Sequence, residues 1–119
     1  MFEPQLHLVV EPYDTAHSAQ VIRLQGEFDK LGLAAIKEEL EVAMTRFTGK
    51  YLIFDLADLN FINSEGIGFL IGVYTHVSNI GGIFCLVGAK SHVQDVFEAL
   101  GLWNVIKHPD SIEACYSLS

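Results

Sequence analysis

Two periodicities divide the chain. Residues 5–10 (Q-L-H-L-V-V) alternate apolar with polar and predict a strand. E-P-Y-D-T-A-H-S (11–18) is turn-like, and A-Q-V-I-R-L-Q (19–25) predicts a second strand. The short link makes these two an antiparallel hairpin, with Gly26 as the expected end of the second strand before E-F-D. Over 30–48 the period changes. Leu33, Ile36, Leu40, Ala43, Met44 and Phe47 recur at three- and four-residue steps, which places them on one face of a helix. Lys37, Glu38, Glu39 and Glu41 fall on the other face and read as solvated surface. Gly49 is the expected C-terminal stop.

Two runs are apolar almost throughout: Y-L-I-F-D-L (51–56) and I-F-C-L-V (83–87). Such runs leave no side for water and predict strands covered on both faces or central in their sheet. A helix from about 65 to 80, closed by Gly81-Gly82, separates them. Strand, helix and strand at this length form a βαβ unit, so the two strands should be parallel. S-H-V-Q-D-V-F-E-A-L-G (91–101) predicts a further helix. Ser91 and Gln94 fit a capping box, Val93, Val96, Phe97 and Leu100 form its apolar face, and Gly101 ends it. L-W-N-V-I then reads as a short edge strand, and D-S-I-E (110–113) as a second capping-box pattern opening a short helix. No repeat, low-complexity tract or linker is evident. The pattern predicts a single mixed α/β domain over 1–119 with four or five strands.

The totals narrow the function. Half of the 119 residues are hydrophobic, enough for a real core. Seven basic against fifteen acidic residues give a formal charge of −8. That disfavours nucleic acid and anionic membrane surfaces, which need a cationic face, and favours a locally basic partner. Cys85 lies in an apolar run and reads as core; neither it nor Cys115 has a ligand-like spacing, so neither a disulfide nor a metal site is expected. M-F-E-P-Q lacks the basic and apolar regions of a signal peptide, and no run approaches the roughly 20 apolar residues of a membrane span. A soluble cytoplasmic protein without membrane insertion is the expectation.

On a wheel of residues 64–80, Ile67, Leu70, Ile71, Tyr74 and Val77 share the face expected to meet the sheet. Glu65, Gly68, Gly72, His76 and Asn79 lie opposite, with Phe69 at the edge. A glycine inside a helix costs roughly 1 kcal/mol relative to alanine. Two on the outward side mean either tolerance, close packing by a second element, or approach of another protein's backbone.

Ser64 stands at or beside the start of this helix, in D-L-N-F-I-N-S-E-G (58–66). As a cap its hydroxyl would accept a bond from a free backbone N–H. A phosphate there would meet the positive end of the helix. The two roles are compatible. A nucleophile is disfavoured: I-N-S-E-G is not the G-x-S-x-G elbow, and His7, His17, His76, His92 and His108 are scattered. G-I-G-F-L-I-G is not a phosphate cradle, for it lacks G-K-[ST] and G-x-G-x-x-G spacing. Glu27, Asp29, Asp55, Asp58 and Glu65 gather near one end of the sheet; loop and cap chemistry is favoured over a magnesium site.

D-L-A-D-L-N-F-I-N-S-E-G-I-G-F-L resembles the signature of the STAS domain family, the bacterial anti-sigma factor antagonists, which runs roughly D-L-x-x-[LV]-x-[FY]-[IM]-D-S-[ST]-G-[LI]-x-x-L. L-Q-G-E-F-D (24–29), N-I-G-G-I-F-C-L-V-G (79–88) and V-F-E-A-L-G-L-W-N-V-I (96–106) are similar, in order, to other family segments, so the resemblance covers about 5–118. It implies a mixed sheet of four or five strands with helices largely on one side. It also implies partner switching. The unphosphorylated protein binds a serine kinase that is itself the anti-sigma factor, phosphorylation of the motif serine releases it, and a PP2C-type phosphatase restores it. By position Ser64 matches that serine, and Asn63, Glu65, Gly68, Phe69, Gly72, Glu27 and Asp29 match the partner-binding surroundings. Two positions depart from the family pattern. Asn63 stands where aspartate is usual, removing a charge, and Glu65 stands where serine or threonine is usual, adding one.

The resemblance therefore implies a binding protein, not an enzyme, with neither cofactor nor metal. A second reading is a non-phosphorylated STAS adaptor, such as an accessory subunit of a lipid ABC transporter, which Glu65 favours mildly. A third would use the carboxylates for metal or nucleotide chemistry.

Overall fold

The computed structural model describes residue 3 and residues 5–119. Met1, Phe2 and Pro4, part of the segment read for a leader, lie outside the described residues. The chain forms β1 (Leu6–Val10), β2 (Ala19–Phe28), α1 (Lys30–Arg46), β3 (Tyr51–Asp55), β4 (Leu59–Ile62), α2 (Ser64–Asn79), β5 (Ile83–Val87), α3 (Ser91–Ala99) and α4 (Ile112–Cys115), with a 3-10 turn at Leu102–Asn104.

The five strands make one mixed sheet in the order β1-β2-β3-β5, with β4 also on β2. β1 and β2 are the expected antiparallel hairpin, Leu6 opposite Gly26. β3 and β5 are parallel, as the apolar runs predict. β2 is longer than its pattern indicates. Gly26 does not end it; at φ +113° that residue takes up a register shift, and the strand continues to Phe28. The first half of β2 pairs with β3 and the second half with β4, both parallel. β3 and β4 therefore lie end to end along one side of β2.

The turn between them is fixed by Asp55. It is buried at the end of β3, where its Oδ1 accepts from Ala57 N at 3.0 Å. Its Oδ2 is paired with Arg23 Nη1, while Arg23 Nε donates to Glu11 Oε1 at 2.8 Å. Because a buried carboxylate is costly unless paired and hydrogen-bonded, Asp55 belongs to this joint.

Side chains alternate across the central strands. Leu52, Phe54, Phe84 and Leu86 enter the large core with Ile36, Leu40, Leu70, Val73, Val77, Val93 and Phe97 from α1, α2 and α3. Phe54 and Phe84 meet edge to face at 4.9 Å. Burying each such side chain contributes about 1.5–3 kcal/mol. Tyr51, Ile53, Cys85 and Val87 face the other way, into a small core closed by α4. The long helices thus cover one side.

Several ends differ from the sequence reading. α1 stops at Arg46, and Gly49 is a packed turn residue whose Cβ would lie 2.5 Å from Ser18 O. α3 is capped on its backbone by Lys90; Ser91 is its first residue, and Gln94 donates to Ala89 O at 2.8 Å, so there is no capping box. Leu100 lies past the last turn and is 61% exposed, where the chain turns away at Gly101 with φ +70°. L-W-N-V-I forms the 3-10 turn instead of a strand; Leu102 and Ile106 reach the core, and the bridge to β5 falls one residue later, at Lys107. α4 forms as expected, but Ser111 is its cap, accepting from Ala114 N at 3.1 Å.

Candidate partner-binding site

The parallel pairing of β2 with β4 places Phe28 opposite Ile62. The next residues, Asp29 and Asn63, each begin a helix. Their backbones match: φ −115° and ψ −170° at Asp29, φ −118° and ψ −171° at Asn63. Asp29 Oδ1 accepts from Gly32 N at 2.8 Å. Asn63 Oδ1 accepts from Glu65 N at 3.0 Å and Gly66 N at 3.3 Å. Asn63 N is itself tied to Phe28 O at 3.2 Å. The starts of α1 and α2 therefore lie side by side at one end of the sheet.

Both joints need glycine at the third helical position because the backbone of β2 is too close. A Cβ at Gly32 would lie 2.3 Å from Glu27 O, and one at Gly66 2.7 Å from Phe28 O. Neither glycine stands out from composition. The signal that finds them is a six-residue correspondence, F-D-K-L-G-L (28–33) with I-N-S-E-G-I (62–67). Only the glycine is identical between the two; the rest is a shared pattern of apolar residue, cap and apolar residue.

Ser64 is not the cap. Asn63 fills that role, and Ser64 is the first residue of α2, exposed. Of the first three N–H groups of the helix, the Asn63 carboxamide takes two, leaving that of Ser64 itself. The carboxamide does so without adding charge, unlike an aspartate. Glu65 is exposed in the same turn.

The outward face of α2 is open where the wheel places it. Gly68, Gly72, Glu65 and Asn79 are exposed, and His76 is half-buried. A Cβ at Gly68 or Gly72 would meet nothing within 4 Å, so among the described residues no second element packs there. Phe69 lies at the edge, half-buried, its ring 6.3 Å from that of Phe28. The inward face differs: Gly66, Ile67, Leu70, Val73 and Val77 are buried, Tyr74 only partly, and Ile71 is 44% exposed. The reason is Gly66. The close approach it permits centres the buried stripe on Gly66, Leu70, Val73 and Val77. That turns Ile71 out beside Ser64 and Gly68 at helical steps of four and three. Its apolar character alone points to core, so sequence reasoning misses it. Phe61, on β4, is 47% exposed and carries no sequence signal of that exposure either.

Glu27 lies within β2, opposite Phe61, and is exposed. Asp29 and Asp55 are engaged by Gly32 N and Arg23, and Asp58 is exposed. The five carboxylates are thus not brought together as a set. Among the described residues, no group of three or more His, Cys, Asp or Glu could hold a metal ion. No helix among them is long and apolar enough to cross a membrane.

The STAS domain family model matches residues 12–115. The chain belongs to the STAS domain family. This STAS domain is 29% identical over 82 residues to the anti-sigma F factor antagonist of Lysinibacillus sphaericus, covering 69% of this chain and 70% of the relative. It is 26% identical over 102 residues to the anti-sigma-B factor antagonist of Listeria monocytogenes, covering 86% and 87%. Its fold matches that of SpoIIAA, an anti-sigma factor antagonist. The unphosphorylated form gives a TM-score of 0.72 at 24% identity, covering 92% of this chain and 93% of that one. The phosphorylated Bacillus form gives 0.66 at 23%, covering 92% and 96%.

Proposed function

We propose that this STAS domain is an anti-sigma factor antagonist that works by partner switching, with Ser64 as the phosphorylated residue. Its relatives carry that name, and the fold is that of a protein solved with and without phosphate. The observation that carries the reading for this chain is local. Ser64 is exposed, has no capping duty, and heads the open face of α2. The chain acts as one domain; its radius of gyration of 13.4 Å equals the roughly 13.5 Å of a compact chain this long.

In this reading the protein binds rather than catalyses, in the cytoplasm and without a cofactor. Unmodified, it docks on a serine kinase that is also the anti-sigma factor. Gly68 and Gly72 let the partner backbone approach, Phe69 flanks that groove, and Asn63, Glu65, Glu27 and Asp29 edge it with polar groups. Phosphorylation adds about −1.5 to −2 charges at the first residue of α2. The neutral Asn63 cap limits repulsion within the chain, so the modified state folds. Against the partner, the new charge breaks the contact because docking would have to strip water from the bulky dianion at the head of the groove. A PP2C-type phosphatase resets it.

The test is titration calorimetry against candidate anti-sigma serine kinases from the host. Ser64→Ala should bind like wild type in the absence of ATP. Ser64→Asp should bind at least about tenfold more weakly, a loss of about 1.4 kcal/mol. Gly72→Arg should lose binding by steric block. ATP should load phosphate onto wild type but not onto Ser64→Ala. If no host serine kinase binds, and all Ser64 forms hold a transporter subunit equally, the protein is instead the non-phosphorylated adaptor.

A further inference from the structure

The side of the sheet away from the long helices carries its own small core, built from Ala19, Tyr51, Ile53, Cys85, Val87 and Cys115. Cys85 is the middle residue of β5 and Cys115 the last of α4. Thirty residues apart in sequence, they meet in this one cluster, fully buried and both as free thiols. Each thiol shifts the acidity of the other across this cluster, and the Cys115 thiol donates to Ser111 O at 3.5 Å.

We propose that Cys85 and Cys115 form a redox pair that closes into an intramolecular disulfide under hydrogen peroxide, fastening the segment around α4 to the sheet. The chemistry balances. The Cys115 thiolate attacks the O–O bond, one oxygen goes to sulfur as a sulfenic acid, and the other leaves as water once protonated. Cys85 sulfur then displaces the sulfenic oxygen as a second water and the S–S bond forms. Two thiols are oxidised and one peroxide is reduced.

The order follows from the contact. The neighbouring Cys85 thiol holds Cys115 below the usual thiol range by favouring its thiolate. Cys85 is pushed well above that range by Cys115 and by burial, so it keeps its proton until Cys115 has reacted. A buried thiol is inert until something opens. Here that element is small. α4 has four residues, capped by Ser111, and the following chain is tied by the Tyr51 hydroxyl to Leu118 O at 2.8 Å and Tyr116 O at 3.2 Å. Local opening of this segment frees Cys115 while the larger core stays closed.

Wild-type protein is treated with hydrogen peroxide under native conditions, quenched with an alkylating reagent, and measured intact and after non-reducing digestion by mass spectrometry. The expected product is a monomer lighter by two hydrogens, with the Cys85 and Cys115 peptides joined, restored by a dithiol reductant. Its Tm should exceed that of the reduced form by about 5 °C or more, because the link closes a long loop in the unfolded chain. Cys85→Ser and Cys115→Ser should each lose the linked peptide. Wild type that keeps two alkylatable thiols, gains oxygen without linking, or links between molecules overturns the proposal. So does a linked form that melts below the reduced one.

Discussion

The two strand-to-helix joints, at Asp29 and at Asn63, share a backbone and differ in what they carry. In each, β2 or β4 ends on a buried apolar residue, an extended cap follows, and the third helical residue is a buried glycine bonded to that cap. Between cap and glycine, one joint has Lys30 and Leu31, the other Ser64 and Glu65. All four of these are exposed. The comparison separates the positions that build a joint from those the joint only presents. Folding requires the cap and the glycine. It asks nothing of Ser64, and for that reason a hydroxyl there is available for chemistry.

The largest effects should come from the glycines. Gly32→Ala should destabilise by about 3 kcal/mol or more, since its Cβ would press a backbone carbonyl at 2.3 Å and Leu6 Cβ at 2.9 Å. Gly66→Ala should cost about 2 kcal/mol, its nearest atom being Phe28 O at 2.7 Å. Urea denaturation of the two variants checks the ranking. A reversed order would mean that the α2 joint is the stiffer of the two.

The caps come next. Asp29→Ala and Asn63→Ala should each lower stability by about 1 kcal/mol. The same denaturation curves report it, and similar losses from the two would confirm that charge on the cap is secondary to its hydrogen bond. A loss confined to Asp29→Ala would show that the α2 start is held mainly by the Asn63 N–H to Phe28 O bond.

How far such features could be read beforehand depends on whether their cause is local. The central strands β3 and β5, buried along almost their whole length, are written as continuous apolar runs, and α1 as a periodic stripe. β4 is not, because only Leu59 and Ile62 of its four residues are buried, which fits neither alternation nor a continuous run. Its existence depends on β2 extending past Gly26, a long-range fact. At the candidate site, the exposure of Glu65, Gly68 and Gly72 is legible from helical spacing. The sequence leaves Ser64 at or beside the cap, because serine and asparagine are equally good caps and only the chain path from β4 chooses between them. Ile71 reads as core, because spacing fixes the angular relation of residues but not where on the wheel the sheet sits.

The outward glycines of α2 should behave oppositely to those at the joints. Gly68→Ala and Gly72→Ala have open space for a methyl group and should each stabilise by about 0.5–1 kcal/mol. In the switch reading they should weaken kinase binding at the same time. Thermal melts paired with calorimetry read both signs; gains in stability with unchanged binding would remove these glycines from the docking surface.

The smallest expected effect is the most pointed. Ser64→Ala should change stability by less than about 0.5 kcal/mol, the range of exposed positions without a structural duty. A serine that caps a helix would lose about twice that, so the size of a near-zero number distinguishes the two joints as drawn from a shared cap at α2. The double variant Asn63→Ala with Ser64→Ala sharpens it. If Asn63 alone holds the two N–H groups, the pair costs no more than Asn63→Ala. If the hydroxyl takes over when the carboxamide is gone, the double variant falls below the sum of the singles, as coupled neighbours do. The spare hydroxyl would then be a reserve cap, and phosphorylation would stiffen or loosen the start of α2 as well as release a partner.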